Sequence, residues 1–166
     1  MQPNVSQPPA LSVDEQVLAQ AFEMIAATRM RDVPLMNGAL GVEVRGFRDW
    51  SGLRVGGLIT PWCINIVILP RDSSEFRELQ TGSSQVWAFP SGQYEFHGHV
   101  EPATGPYQQC SLFSPAFEFS SQADAQAAVD AALEELFSAP VGERTQAAAP
   151  AAVSRRSLFT GMAARP

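Results

Sequence analysis

One stretch of the chain, running from Trp62 to Leu69, most constrains what the sequence can fold into. It is apolar on both faces of an extended strand, and only Asn65 interrupts it with a polar side chain. Strands that are buried on both faces appear as continuous apolar runs, whereas half-buried strands alternate between apolar and polar residues. We therefore predict a central strand that other elements cover from both sides.

Shorter segments around this run predict five further strands. Several of them alternate between apolar and polar residues, which is the period of a half-buried strand. Turn residues such as those of Pro90-Ser91-Gly92 separate them. The polar residues 70–83 predict a long excursion between two strands. The further strands are expected over about 40–45, 53–60, 86–89, 93–100 and 107–113.

Helices are predicted at both ends of this antiparallel meander. Ser12 and Glu15 have the spacing of a capping box, and an apolar stripe at helical spacing predicts a helix over 13–29. Ser120 or Ser121 caps a second helix that is rich in alanine. The expected fold is an α+β domain, in which a sheet of about six strands is flanked by an N-terminal and a C-terminal helix. Both helices are expected on one sheet face.

Composition divides the chain into four parts. Residues 1–11 predict a flexible lead, residues 12–138 carry the folded domain, residues 139–153 form an Ala/Pro-rich linker, and residues 154–166 form a basic tail. No leader of the secretory type opens the chain, and no apolar window reaches the length of about 18 residues that a membrane span needs. A cytoplasmic protein without direct membrane insertion is therefore expected.

Charge is divided unevenly between the domain and the tail. The chain has 11 arginines, no lysine and 17 acidic residues, for a net charge of -6. Residues 1–140 carry seven arginines and sixteen acids, a balance of -9, while residues 141–166 carry four arginines and one acid, a balance of +3. An acidic domain disfavours nucleic acid and anionic membranes as partners and suits a basic protein or peptide.

Polar residues on the fifth predicted strand suggest a metal site. Glu95, His97, His99 and Glu101 share a strand face, and imidazole and carboxylate ligands suit zinc. Residues on one face lie about 6.6 Å apart along a strand, so the two histidines could share an ion while the glutamates could hardly join them. Two ligands on an exposed strand seldom hold a metal, so we interpret this face as a solvated polar face and expect no metal. The alternative is a small metal- or ligand-binding domain that uses His97, His99 and Cys110.

Nucleophilic catalysis lacks a complete set of residues. Cys63 and Cys110 are the only thiols, and Cys63 lies in a core strand, where a thiol behaves as a small hydrophobe. The two cysteines could form one disulfide, although nothing in the sequence requires it. No nucleophile elbow or phosphate-binding glycine loop is present, and Gly56-Gly57 indicates a bulge or a close backbone approach. We expect no enzymatic activity and no cofactor, and a generic α+β enzyme is the weakest alternative.

Aromatic residues crowd between Phe47 and Phe119. Most of them belong in a core, but two helices can hardly cover both faces of six strands. Some rings are therefore expected to line an open groove that binds a partner.

The basic tail contains a twin-arginine-like sequence, which the alternative interpretation treats as a chance pair of arginines. Twin-arginine export motifs work at N-termini ahead of an apolar stretch, so this position excludes an export signal. The residues that give the resemblance are Arg155, Arg156, Leu158 and Phe159.

Four runs follow one another along the chain: RMRDVPLMN at 29–37, LITPWCINIVILP at 58–70, FPSGQYEF at 89–96 and GPYQQCSLFSP at 105–115. Together, over about residues 12–138, they resemble the HybE/HupJ family of NiFe-hydrogenase assembly chaperones. The resemblance implies a cytoplasmic, non-enzymatic helper that binds the hydrogenase large subunit and the twin-arginine signal peptide of the small subunit, delaying export until both subunits are mature and paired. Some relatives carry a fused rubredoxin domain, and this chain lacks the cysteine pairs of that domain.

An acceptor for such a signal should offer carboxylates beside an apolar groove. The tail, Ser154 to Thr160, would then mimic the client and occupy the groove of its own chain or of a neighbour until the client displaces it. The residues expected to bind the partner, on a single sheet face, are Trp62, Asn65, Trp87, Tyr94, Glu95, Tyr107 and Phe113.

Overall fold

The computed structural model describes residues 11–140. The predicted lead up to residue 10, and the linker and tail from residue 141, lie outside the described residues. The elements are α1 (Val13–Ala27), β1 (Glu43–Trp50), β2 (Leu53–Ile59), β3 (Ile64–Pro70), β4 (Ser84–Phe89), β5 (Gly92–Glu101), β6 (Gly105–Phe113) and α2 (Gln122–Phe137). All six strands pair antiparallel in one sheet, which confirms the predicted α+β class.

Strand order departs from the simple meander that we expected. The order across the sheet is β1-β2-β3-β6-β5-β4, because β6 pairs with β3 instead of lying at an edge. The central strand β3 is buried from Ile64 to Leu69, as its apolar run predicts. Trp62 and Cys63 precede the strand and are half-buried, so the expectation that Cys63 lies in a core strand is wrong. Strand β3 lies between β2 and β6, and β6 has four buried residues where β4 has two, in keeping with the inner position of β6. As a result, β4 lies at the outer edge of the sheet instead of next to β3.

Both helices begin where their caps predict. Ser12 accepts a hydrogen bond from the Glu15 N–H, and Glu15 Oε2 accepts from the Ser12 N–H at 3.2 Å, so the capping box is formed. Ser121, rather than Ser120, caps α2, since its Oγ accepts from the Asp124 N–H at 3.1 Å. Local sequence therefore fixes where each helix starts.

The two helices lie on opposite faces of the sheet, so the expectation that they share a face is wrong. Leu18 and Phe22 of α1 pack on one face, which we call the α1 face, and Val129 and Leu133 of α2 pack on the other, the α2 face. The physical reason is β3, whose alternate residues are apolar on both sides and need cover on both. The α1 face includes Val44, Leu58, Val67 and Tyr107, and the α2 face includes Val55, Ile66, Phe96 and Cys110.

Aromatic rings mostly fill the α2-side core instead of lining a groove, which corrects that expectation. Trp50 stacks on Phe89 with ring centroids 4.2 Å apart, and Trp87 meets Trp50 edge to face. Trp62 stacks on Phe22 on the α1 side and is half-buried. Among the aromatic residues that the structure describes, Phe117 is the one with an exposed side chain.

A close approach is present at Gly56-Gly57, as predicted, but side chains make it instead of another backbone segment. A Cβ atom at Gly56 would lie 2.2 Å from Phe47 Cδ2, and one at Gly57 would lie 2.2 Å from Val129 Cγ1. Side chains from β1 and α2 therefore press on the two faces of β2. The bulge in this region lies in the partner strand, between Arg45 and Arg48 of β1.

The excursion at 71–83 covers the part of the α2 face that α2 does not reach. Phe76 packs against the α2-side core, and Leu79 lies so close to Gly98 that a Cβ there would meet the Leu79 Cβ at 2.3 Å. On the α1 face, by contrast, the outer β4–β5 hairpin keeps exposed side chains at Val86, Ala88 and Glu95.

Candidate functional site

The two edges of the sheet differ sharply in charge. Strand β1 has the sequence EVRGFRDW, with four charged residues and a bulge, whereas β4 has the sequence SQVWAF, with neither a charged residue nor a proline. Native proteins protect sheet edges with charges, prolines and bulges, because an unprotected edge can pair with another strand. By this criterion β1 is protected, and β4 is open to strand addition.

The side chains of β4 alternate strictly between the two faces. Trp87 and Phe89 are buried on the α2 side, while Ser84, Val86 and Ala88 are exposed on the α1 side. In the neighbouring strand Glu95 pairs with Val86 and is exposed on the same side. We define the open hairpin face as Ser84, Val86, Ala88 and Glu95, in which Val86 has a relative exposure of 59%.

A buried polar network holds β4 in place. The Trp87 indole N–H donates to Gln108 Oε1 at 2.7 Å, and Gln108 Nε2 donates to Gln85 Oε1 at 2.9 Å and to the Arg77 carbonyl at 3.0 Å. Gln108 is fully buried. Satisfied buried networks rigidify the backbone that they connect. The edge strand is thus anchored from its buried side while its exposed side remains accessible.

Glu95 is the acid best placed to receive a cation on this face. Its Oε1 accepts a hydrogen bond from the Ser84 hydroxyl at 2.6 Å, which orients the carboxylate. Within residues 11–140 no arginine forms an ion pair with it, whereas Glu101 is paired with Arg29 at 2.7 Å. A guanidinium arriving from a partner could therefore bind Glu95 without displacing a resident arginine.

A cleft of about 710 Å³ lies beside β1 and contains several charged residues. Its carboxylates are already neutralised: Arg45 donates to both Asp130 oxygens at 2.7 Å, and Arg54 pairs with Glu15. The hydrogen bond to Asp130 raises the pKa of Arg45, against the opposing effect of burial. An incoming arginine would have to compete with these pairs, so this cleft is the poorer acceptor.

The structure separates the residues of the alternative metal- or ligand-binding site. His97 and His99 lie on the α1 face with Gln109 and Tyr107, whereas Cys110 pairs with Ile66 on the α2 face. The alternative that joins all three is therefore wrong in its geometry. Burial, and secondarily the charge of His97, lowers the pKa of His99. Among residues 11–140 no group of three or more His, Cys, Asp or Glu side chains is placed to hold a metal ion.

Both cysteines are free thiols. The Cys63 Sγ accepts a hydrogen bond from Asn65 Nδ2 at 3.3 Å, and the Cys63 N–H donates to Thr60 Oγ1 at 2.9 Å. Burial raises the pKa of Cys63, which outweighs the lowering effect of its hydrogen bonds with Thr60 and Asn65. A raised thiol pKa is the opposite of what a nucleophilic cysteine needs.

The seven residues predicted to bind a partner do not share one face, so that expectation is wrong. Glu95 is exposed, Trp62 and Phe113 are half-buried and the other four are buried, with Asn65 at 2% exposure and Tyr107 at 3%. Residues on the strands alternate in direction, and the sequence did not show which direction was outward. The α1 side holds Trp62, Asn65, Glu95 and Tyr107, and the α2 side holds Trp87, Tyr94 and Phe113.

Asn37 was missed by the sequence analysis, although it lies in the first of the four runs. Its Nδ2 donates to the carbonyls of Ala116 and Phe119 at 2.9 and 2.8 Å, and its Oδ1 accepts from the Ala39 N–H at 2.9 Å. Its own N–H donates to the Pro61 carbonyl at 2.7 Å. The tendency of asparagine to bond nearby backbone was the available signal, but the distant carbonyls were not predictable.

These features define a single-sheet α+β protein whose most distinctive surface is an unprotected strand edge. None of its described helices has both the length and the apolar character needed to cross a membrane. The family model described as "[NiFe]-hydrogenase assembly, chaperone, HybE" matches residues 14–161, and the chain belongs to this family. The match continues past residue 138, where the expected resemblance ended, and includes most of the twin-arginine-like tail.

Curated relatives agree with this assignment. The chain is 41% identical over 156 residues to the protein HoxT of Cupriavidus necator, with 86% of each chain covered. It is 36% identical to the hydrogenase expression/formation protein HupJ of Bradyrhizobium diazoefficiens, covering 87% of this chain and 86% of the relative. The solution structure of HybE from Escherichia coli is similar with a TM-score of 0.62 and 25% identity, covering 82% of this chain and 87% of that one.

Proposed function

We propose that this chain acts in the cytoplasm as a non-enzymatic, cofactor-free chaperone that binds the twin-arginine signal peptide of a hydrogenase small subunit and the corresponding large subunit before export. Membership of the hydrogenase assembly chaperone family supports the general role. The observation that carries the binding mode is the uncharged edge strand β4 beside the exposed carboxylate of Glu95.

In this binding mode the client adds an extended strand to β4. Main-chain hydrogen bonds along the edge supply affinity, and side chains that alternate in direction supply specificity. Client side chains on the exposed side meet Val86 and Ala88, and an arginine reaches Glu95 one strand further in. The segment around the two arginines is the part of the client that binds in this way.

Glu95 contributes orientation more than affinity. An exposed ion pair is worth about 0.2–1 kcal/mol, and salt screens charges beyond about 8 Å at physiological ionic strength. Backbone pairing and apolar contact must therefore supply most of the binding free energy, while the carboxylate sets the register of the client and its association rate.

The remaining predicted residues take supporting roles in this proposal. Trp87 holds β4 through Gln108, and the Tyr94 hydroxyl lies 2.8 Å from Ser91 Oγ in the β4–β5 turn. The supporting residues on the inner strands β3 and β6, or just before β3, are Trp62, Asn65, Tyr107 and Phe113. Of the seven, we propose that Glu95 alone contacts the client directly.

Calorimetry with a synthetic small-subunit signal peptide tests the proposal. Val86→Lys places a charge on the β4 edge and should weaken binding roughly tenfold, which corresponds to about 1.4 kcal/mol. Val13→Lys is the matched control, because Val13 is also exposed but lies on α1. It should bind within about twofold of wild type. Urea unfolding verifies that both variants are folded.

Glu95→Gln separates charge from strand pairing. It should weaken binding by about two- to fivefold at low salt and flatten the dependence of affinity on ionic strength.

The same Val86→Lys and Val13→Lys pair, used in co-purification with a tagged large subunit, tests the second partner. Wild-type affinity of Val86→Lys for both subunits would refute the edge as the client site.

A further inference from the structure

We infer that the C-terminal segment 154–161 docks on the β4 edge of its own chain and thereby competes with the client. The inference rests on the proposed function only in assigning the client to the same edge. The docked segment itself is a separate claim about this chain. Among the described residues no strand pairs with the outer edge of β4, and we assign the segment 154–161 as its occupant.

The family match is the first observation that points to this segment. It extends to residue 161 and so includes Arg155, Arg156, Leu158 and Phe159. The segment therefore lies within the span of the family match, although it lies beyond the last helix of the domain.

Charge complementarity is the second observation. Residues 1–140 carry a balance of -9, the tail carries +3, and the segment 154–161 contains two arginines and no acid. On the open hairpin face Glu95 is the carboxylate without an arginine partner among residues 11–140. Because side chains alternate along a strand, the segment can dock in two registers. In one register Arg156 meets Glu95 and Leu158 contacts Val86, and in the other Arg155 meets Glu95 and Phe159 contacts Val86.

The path of the chain is the third observation. The Ser91 N–H and Oγ–H both donate to the Leu136 carbonyl, at 3.3 and 2.9 Å, so the last turn of α2 is fastened to the turn that follows β4. The tail therefore departs beside one end of the edge strand. The 17 residues 139–155 can span at most about 60 Å, and β4 is only about 20 Å long.

Tethering makes even a weak segment an effective competitor. An effective concentration of about 1 mM, against a dissociation constant of about 0.1 mM for the free segment, fills the edge in roughly ten of eleven molecules. The client must then displace the segment, which weakens its apparent affinity by about tenfold. Unfilled molecules are few, so the uncharged edge is also protected from pairing with other chains.

Hydrogen exchange on the full-length chain tests the docking without a client. In wild type, those amides of Ser84–Phe89 that do not bond to β5 should exchange about tenfold more slowly than in the double variant Arg155→Gln/Arg156→Gln. The matched control Arg144→Gln/Arg165→Gln removes two tail charges outside the segment and should retain wild-type exchange. Equal exchange in all three proteins would overturn the inference. Slowing that disappears on dilution would also overturn it, because the occupant would then be a second copy.

Calorimetry with the signal peptide then connects the docking to the client. Arg155→Gln/Arg156→Gln should bind the peptide about tenfold more tightly than wild type, and the control pair should bind as wild type does. If no protein binds the peptide while exchange still differs as expected, the proposed function fails and the docked segment stands. If all three bind the peptide equally, the competition fails and the client site stands.

Discussion

Replacing Asn37 by alanine should destabilise the domain without touching the client edge. The Asn37 side chain joins the loop after α1 to the segment between β6 and α2, through its bonds to the carbonyls of Ala116 and Phe119. It also holds its own loop through the Ala39 N–H. Asn37→Ala removes all three side-chain hydrogen bonds and leaves the backbone bond from residue 37 to the Pro61 carbonyl in place.

The size of the effect follows from the number of bonds. A hydrogen bond contributes about 1 kcal/mol net to stability, and an unpaired buried group costs more. Three bonds around the half-buried Asn37 therefore predict a loss of about 2–4 kcal/mol. With a urea m-value of about 2 kcal/mol/M, the unfolding midpoint should fall by about 1–2 M.

Equilibrium urea unfolding, followed by tryptophan fluorescence, measures this loss. Leu35→Ala is a matched control in the same loop, since Leu35 has 46% exposure and should change stability by less than about 0.5 kcal/mol. Asn37→Asp keeps the acceptor for Ala39 but loses both donations, so it should also be destabilised. A loss below about 1 kcal/mol in Asn37→Ala would refute the reasoning that this residue of the first run acts on the fold.

Two further predictions concern packing and thiol chemistry. Gly57→Ala should lower the free energy of unfolding by about 1–3 kcal/mol, because the new Cβ would lie 2.2 Å from Val129 Cγ1. The control Gly41→Ala should lower it by less than about 0.5 kcal/mol, because no atom lies within 4 Å of a Cβ at that position. Thermal unfolding compares the two variants. Alkylation of Cys63 by iodoacetamide at pH 8 should be slower than that of a free thiol and should accelerate as pH rises, since burial raises the pKa of Cys63 and lowers its thiolate fraction. Mass spectrometry of the modified peptide measures the rate, and a rate equal to that of the urea-unfolded protein would contradict this assignment.

Several elements were predictable because their determinants are local. The capping box of Ser12 and Glu15 and the cap at Ser121 depend on residues within one helical turn. The burial of β3 on both faces follows from its own composition. The close approach at Gly57 was predictable as a type of contact, although its partner Val129 was not, since that residue lies in a distant helix.

The candidate site was only partly predictable. Glu95 emerged from the polar alternation of its strand, and the structure leaves it exposed beside Val86. Trp87 and Tyr94 were grouped with it by motif alone and are buried on the opposite face. Period-2 alternation separates the two faces of a strand but does not say which face is solvent, because that depends on what packs against it.

The sequence by itself determined the α+β class, the approximate spans of the two helices and of β2 to β6, the charge contrast between domain and tail, and the family resemblance. The first strand was predicted over 40–45, but β1 spans Glu43–Trp50. The tertiary structure alone decided that the helices cover opposite faces and that β6 lies between β3 and β5, leaving β4 as an uncharged edge. The physical reason is the distance along the chain over which each interaction acts. Caps and periodicity act within a few residues, whereas strand order arises from pairing between segments more than 40 residues apart, such as Asn65 with Ser111.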